Sequence, residues 1–228
     1  GTQKVDGAPA REPKPSGKVE PAKPISGKVI DVGPDGHFKQ INDALTYLRQ
    51  EKNKYSTTGS ASSRAHVTLN VKGGETYDAI SLDNVDQAYP LGIHIVASGQ
   101  PAKLKPRADG LAARLLHVDG FRLENFDIDV SGQKTAIEVV GYSTPTFSKL
   151  TLRGYSETGI LGTGLAGNKN GEAVFDQIDF HPAGEGAIGL KLTKAASFDG
   201  KTISPRWISI RNCRFLGSHK AGLSIGAG

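Results

Sequence analysis

The sequence predicts an all-β solenoid of short stacked strands, closed at its N-terminal end by one amphipathic helix. Three observations predict it. First, one short pattern returns four times between Leu115 and Ile225: an apolar residue, two residues of any kind, then apolar–polar–apolar. The copies are Leu123-Glu-Asn-Phe126-Asp-Ile128, Phe147-Ser-Lys-Leu150-Thr-Leu152, Phe175-Asp-Gln-Ile178-Asp-Phe180 and Ile210-Arg-Asn-Cys213-Arg-Phe215. Second, a small residue followed by an apolar one comes after each copy, at Ala136-Ile137, Gly159-Ile160, Ala187-Ile188 and Gly222-Leu223. Third, the chain holds 29 glycines in 228 residues, which suits a tight turn after every short strand.

Repetition over a few tens of residues marks a solenoid, in which no unit buries its own apolar face and each stacks on its neighbours. Alternation as in Phe126-Asp-Ile128 or Ile188-Gly-Leu190-Lys-Leu192 sends every second side chain to one face, as a half-buried strand needs. The apolar runs are too short for helical repeats. Two or three short strands per turn describe a right-handed parallel β-helix, with about six coils visible. The spaced core, the small–apolar strand starts and the Asn at matched positions 125 and 212 resemble the pectate-lyase-like superfamily. That resemblance covers most of the chain after Ile25 and implies the fold; its motif is structural.

Taken in order, residues 1–26 read as a disordered Pro/Lys-rich linker, with Pro9, Pro13, Pro15, Pro21 and Pro24 among Lys, Glu, Gly and Ala. Such a segment buries too little surface to fold, and its prolines favour an extended spacer. Residues 27–228 form the β-helix domain. The strand Lys28–Val32 runs into a Gly-Pro-Asp-Gly36 turn, then a helix with Phe38, Ile41, Ala44, Leu45 and Leu48 at helical spacing. An amphipathic helix across a solenoid end covers exposed core and strand edges. The run Asp35-Gly-His-Phe-Lys-Gln-Ile-Asn-Asp-Ala44 resembles the entry segment of pectin methylesterases, where Asp-Gly-x-Phe/Tyr-x-Thr-Ile-x-x-Ala begins a capping helix; Gln40 stands where Thr is usual. His37 reads as a surface turn residue.

Residues 53–65 read as an exposed loop. The strands Val67–Val71, Gly92–Ala97 and Ala102–Pro106 then open the first coils, with Gly-x-Tyr77 and the pair Ile80 and Leu82 similar to the family's early coil. The last strand, Gly222–Ile225, leaves its coil one strand in, so the domain is expected to be truncated at that end. With no Met anywhere, position 1 included, the chain reads as a piece of a larger protein.

Composition narrows the function classes. The formal net charge is +5, but six of the 28 Lys and Arg residues lie in the first 28 residues, so the folded part is nearer neutral and gives nucleic-acid binding little support. The lone Cys213 occupies an apolar repeat position and reads as a buried small hydrophobe, which excludes a disulfide framework and a Cys-based zinc site. No run approaches a membrane span and no signal peptide is present.

Aligning the repeats puts outward positions into columns. Glu124, Ser148, Asp176 and Arg211 form one; Asp127, Thr151, Asp179 and Arg214 form another. Neighbouring coils lie about 4.8 Å apart, so carboxylates one coil apart share a cation or flank a sugar. The candidate ligand-binding set is Glu124, Asp127, Asp176, Asp179, Arg211 and Arg214. No cofactor is firmly implied; calcium is the one cation these carboxylates leave open. Asp127 and Asp179 stand two coils apart, about 10 Å, wide for a retaining carboxylate pair and at the upper edge for an inverting one. The competing reading is a solvated sheet face.

Catalytic signatures that the resemblance would imply are absent. The Asn-Thr-Asp, Asp-Asp, Gly-His and Arg-Ile-Lys series of polygalacturonase-like hydrolases does not occur in order, nor do the Gln-Asp-Thr-Leu and Asp-Phe-Ile-Phe-Gly runs of pectin methylesterases. Arg122, Arg153 and Arg214 are candidates for a lyase base without a surrounding motif. His181 with Glu185 lacks further metal ligands in sequence, and His66, His94 and His117 sit at strand positions that favour structural roles. Gly162-Thr-Gly164-Leu-Ala-Gly167 fits a dinucleotide pattern but is followed by no helix. Tyr89, Tyr142 and Tyr155 are expected on loops, with faces free to stack on sugar rings.

Three readings follow. The first is a noncatalytic β-helix module binding carbohydrate or another extended ligand, in an extracytoplasmic setting. The second is a polysaccharide lyase, hydrolase or esterase with a divergent site. The third is a protein-interaction domain appended to a signalling protein, since the Pro/Lys tether resembles regions that follow serine/threonine kinase and membrane segments in some large bacterial proteins. The missing motifs favour the first and third.

Overall fold

A computed structural model of the chain describes residues 17–55, 67–90, 92–141, 144–167, 171–196 and 202–226. Strand β1 (Val29–Val32) and helices α1 (Ile41–Gln50) and α2 (Lys52–Tyr55) form the entry. The first coil carries β2 (Val67–Lys72), β3 (Thr76–Asp78) and β4 (Ile80–Asp83), and the second β5 (Ile93–Ser98), β6 (Ala102–Lys105) and β7 (Ala113–Leu116). The third coil has β8 (Arg122–Asp129) and β9 (Thr135–Val140); the fourth has β10 (Thr146–Arg153) and β11 (Thr158–Thr163). The fifth holds β12 (Ala173–His181) and β13 (Ile188–Thr193), followed by a hairpin of β14 (Ala195–Ala196) and β15 (Thr202–Ile203). The sixth holds β16 (Ile208–Arg211), β17 (Arg214–Phe215) and β18 (Ala221–Gly226).

All pairings between coils are parallel. One sheet takes a strand from each coil, in the order β18-β13-β11-β9-β7-β4. The other runs β1-β2-β5-β8-β10-β12-β16, with β3 beside β6, β6 also beside β8, and β17 beside β12. This is a parallel β-helix, wound in the right-handed sense that parallel β connections take.

The repeat pattern forms the core as the sequence predicts. Leu123, Phe147, Phe175 and Ile210 stand in register, as do Ile128, Leu152, Phe180 and Phe215. The members in coils three to five are fully buried. Phe147 and Phe175 stack at 5.7 Å between ring centroids, Phe180 and Phe215 at 4.9 Å. The residue before the second apolar position of each repeat lies in the left-handed region: Asn125, Lys149, Gln177 and Asn212 have φ of 65°, 53°, 55° and 53°. This residue bends each long strand and keeps apolar side chains inward on both sides of the corner. Asn is favoured there because its short amide hydrogen-bonds locally; the Asn125 amide donates to the carbonyls of Ala97 and Gly99 at 3.0 and 3.1 Å.

The small–apolar strand starts need one correction. Thr158 pairs with Ile188 and Ile160 with Leu190, so the third copy is Gly189-Leu190 and not Ala187-Ile188. A two-residue shift keeps the same face, which is why the alternation alone does not distinguish them. The column is small because aromatic rings occupy the space. A Cβ on Gly159 would lie 2.8 Å from the Phe180 ring, and one on Gly189 2.5 Å from the Phe215 ring.

At the N-terminal end α1 buries Ile41, Ala44, Leu45, Tyr47 and Leu48. Phe38, placed in the helix by its spacing, instead bridges to Val32 ahead of it and packs on Tyr47, ring centroids 5.3 Å apart. Gln40 is the N-cap but makes no cap hydrogen bond; its side-chain oxygen accepts the Asp78 N–H at 3.0 Å, tying the helix to β3. His37 is not a surface residue. It is buried, and its Nδ1 accepts the Asp31 N–H at 2.8 Å, closing the turn from inside. Within the stretch read as linker, residues 17–26 lie against the cap, where the Gln50 side chain bonds Val19 N–H and Gly17 C=O and Val19 and Ile25 pack on the core. Residues 1–16 lie outside the described residues. So does most of the predicted 53–65 loop, although its first residues belong to α2. No helix is long and apolar enough to cross a membrane among the described residues.

A left-handed residue other than Gly or Asn costs about 1–2 kcal/mol. Gln177→Asn is therefore expected to raise stability by roughly 0.5–1 kcal/mol, and the β-branched Gln177→Val to lower it by about 1–2 kcal/mol. Urea denaturation of the two variants checks the corner assignment, and the reverse order would contradict it.

Candidate functional site

The outer face of the bent strands carries the six sequence-predicted residues, and the register places them in the expected columns. Ser148 pairs with Glu124 and with Asp176, and Asp176 with Arg211. Thr151 pairs with Asp127 and with Asp179, and Asp179 with Arg214. Lys103 precedes Asp127 in the second column.

Each carboxylate is bonded to a cation of the following coil. Lys149 Nζ donates to Glu124 at 2.8 Å, and Arg153 Nε to Asp127 at 3.1 Å. Arg211 lies 3.5 Å from Asp176, whose other oxygen accepts the Asn212 amide at 2.9 Å. Arg214 grips Asp179 with two N–H groups, Nε at 2.6 Å. Arg122 adds a second cation on Glu124 from its own coil. In every pair the cation is the outer member. Side-chain exposure is 55% for Lys149 against 12% for Glu124, 46% for Arg153 against 32% for Asp127, 60% for Arg211 against 19% for Asp176, and 67% for Arg214 against 22% for Asp179.

Electrostatics follow from that layering. Burial alone would raise the Glu124 carboxyl, but the Lys149 and Arg122 cations outweigh it and hold it below the usual glutamate range. The Arg214 hydrogen bonds hold Asp179 below the usual aspartate range against a smaller effect of burial. Groups held ionised in this way make poor general acids at neutral pH. No group of three or more His, Cys, Asp or Glu that could hold a metal ion occurs among the described residues. Arg122, Arg153 and Arg214, the candidate lyase bases, are each bound to a carboxylate.

Between the fourth and sixth coils the face hollows into an open cleft of about 380 Å³ lined by Lys149, Thr151, Gln177, Asp179, Asn212 and Arg214. The left-handed corner residues form its rim. Deeper in the first column, the Ser148 hydroxyl is buried without a hydrogen-bond partner among the described residues.

Other expected positions resolve differently. Tyr155 and Tyr89 are buried and offer no stacking face. The Tyr155 hydroxyl, pushed up by desolvation, bonds His219 Nε2 at 2.9 Å. Tyr142 and His66 lie outside the described residues. Among the described residues the exposed aromatic is Trp207, held at φ 55° just before β16. Cys213 is half-buried, and burial pushes its thiol up, so it is no ready thiolate. Gly162 lies in β11 and Gly164 turns at φ 68°, as a strand end and not a phosphate loop. Sequence reasoning passed over Lys149 altogether and weighed Arg153 only as a lyase base; in the repeat alignment both stand one coil beyond Glu124 and Asp127.

No family model and no curated protein matches the chain. Two solved structures of pectin methylesterase from Aspergillus niger follow a similar path at 15% identity. One, with an N-acetylglucosamine stub at its Asn residue, covers 90% of this chain and 71% of its own, with a TM-score of 0.43. The other, in deglycosylated form, covers 87% of this chain and 89% of its own, with a TM-score of 0.40. Likeness at this level carries no argument about activity, and the fold assignment rests on the strand register.

Because Glu124 titrates below its unfolded value of about 4.3, its stabilisation is present above that pH and is lost as pH falls through the folded value. Glu124→Gln is expected to cost about 1 kcal/mol at pH 7. The difference from the parent protein should shrink steadily below about pH 4. Chemical denaturation across pH measures it, and a gap that widens in acid would refute the pairing.

Proposed function

We propose that the chain is a noncatalytic β-helix module that binds carbohydrate or another extended ligand along the outer face of β8, β10, β12, β16 and β17. The observation that carries this reading is the pairing of every outward carboxylate in the candidate set with a cation of the next coil. An acid–base or nucleophilic pair needs carboxylates of differing protonation near one bond; here they are held ionised or tied to cations, with Asp127 and Asp179 two coils apart. What remains is a polar cleft lined by hydroxyl, amide and guanidinium groups from successive coils, suited to a polymer lying along the axis. Such a ligand suits an extracytoplasmic setting.

A second reading, protein interaction, draws on a different observation. Trp207, Leu223 and Ile225 are exposed on the sixth coil, and such apolar exposure favours a protein surface.

A glycan array carrying neutral and acidic oligosaccharides tests the first reading. Binding is expected, and Asp179→Ala with Arg214→Ala should weaken it about tenfold or more. An array without hits would discard carbohydrate and favour the protein reading. Release of reducing ends or unsaturated product would replace both with an enzyme.

A further inference from the structure

From the second coil on, the signs of the charges on this face follow the coil number. The second coil presents Lys103 and Lys105, the fourth Lys149 and Arg153, and the sixth Arg211 and Arg214. The third coil presents Glu124, Asp127 and Asp129, and the fifth Asp176 and Asp179. Arg122, at the start of β8, departs from the rule, and its guanidinium is bonded to Glu124 within the same coil. Basic coils therefore recur every second step, roughly 10 Å apart. Their cations stand outermost, while the carboxylates between them are recessed.

We infer that the face selects a linear acidic polysaccharide bearing one carboxylate or sulfate on every second sugar, laid along the solenoid axis. The inference rests on the reading of this face as an extended-ligand site and adds the charge and spacing of that ligand. An extended pyranose unit is close in length to one coil step, so a two-sugar repeat matches a basic-to-basic interval. Each anionic group then meets guanidinium or ammonium N–H left over from the intramolecular pairs, with charge-assisted bonds. The uncharged sugar lies over an acidic coil, where Asp179 accepts hydrogen bonds from its hydroxyls. Beside it, the Gln177 side chain lines the cleft.

The recessed carboxylates supply discrimination. A polymer charged on every residue would set half its anions against Asp176 and Asp179 or Glu124 and Asp127, an unfavourable contact that lowers affinity for the wrong spacing. Nucleic acid meets the same penalty, with a phosphate about every 3.4 Å along each strand of duplex DNA. The layering also inverts the cation expectation: calcium approaching this face meets ammonium and guanidinium groups before it meets oxygen.

The test compares binding of equal-length oligomers to the whole chain by calorimetry: hyaluronan, polygalacturonate, neutral chitin oligosaccharide and oligothymidylate. Hyaluronan is expected to bind about tenfold more tightly than polygalacturonate, and to weaken steeply between about 50 and 200 mM salt. Lys103→Gln with Lys105→Gln removes one basic stripe whose ammonium groups make no ion pair among the described residues, so its fold should be untouched. That variant and Arg211→Gln with Arg214→Gln should each lose roughly threefold to tenfold in affinity. Polygalacturonate binding as tightly as hyaluronan overturns the spacing, and oligothymidylate binding more tightly overturns the ligand class. Unchanged affinity in the lysine variant overturns the role of the stripes. Chitin binding without anionic binding overturns this inference while leaving the extended-ligand reading in place, and an absence of all binding removes both.

Discussion

The structure depends on one backbone constraint: each coil must turn the same corner directly above the corner of the coil before it. Asn125, Lys149, Gln177 and Asn212 turn it in the left-handed region, a conformation most side chains resist. A single residue there reverses the alternation of inward and outward side chains, so apolar residues flank the corner with two residues between them on one side and one on the other. The repeating pattern in the sequence is the written form of that corner. Once it recurs at one height per coil, parallel hydrogen bonding, stacked rings and the small-residue column follow. Phe180 and Phe215 then fit only because Gly159, Gly189 and Gly222 leave them room.

The charged face inherits its order from the same constraint. Corners in register put Asp179 under Arg214 and let Lys149 and Arg153 reach diagonally to Glu124 and Asp127 in the coil before. Exposed ion pairs contribute little stability individually. A ladder of this kind commits its carboxylates to the stack. A residue held ionised by its neighbour is a poor proton donor at neutral pH, which applies here to Glu124 and Asp179.

Much of the fold was legible in the sequence, because burial imposes a period that survives in the residue order. The core columns, the capping helix and the columns of Glu124 and Asp127 could all be read from alternation and repeat alignment. Three features could not. The shift from Ala187-Ile188 to Gly189-Leu190 preserves the face, so period alone is blind to it. The burial of His37, Tyr89 and Tyr155 depends on segments distant in sequence; the ring of Tyr155, for example, meets His219 two coils away. The sign of the face was hidden as well. Composition counts a lysine and a glutamate as equal and opposite, whereas the long lysine and arginine side chains reach past the shorter carboxylates and stand outermost.

On the proposed reading of this face, that last difference decides what kind of ligand it meets. A balanced set of charges in one plane would present alternating signs of equal strength and would favour no ligand charge. Layered, the same set presents cations to an approaching molecule and keeps the carboxylates beneath them, exposed chiefly in the coils between. Each guanidinium already bonded to aspartate is also held in place, so a ligand meeting its outer N–H groups orders less side chain than it would against a free arginine. The intramolecular pairs and the ligand contacts therefore need not compete. The carboxylate fixes the inner edge of the cation, and the outer edge remains for recognition.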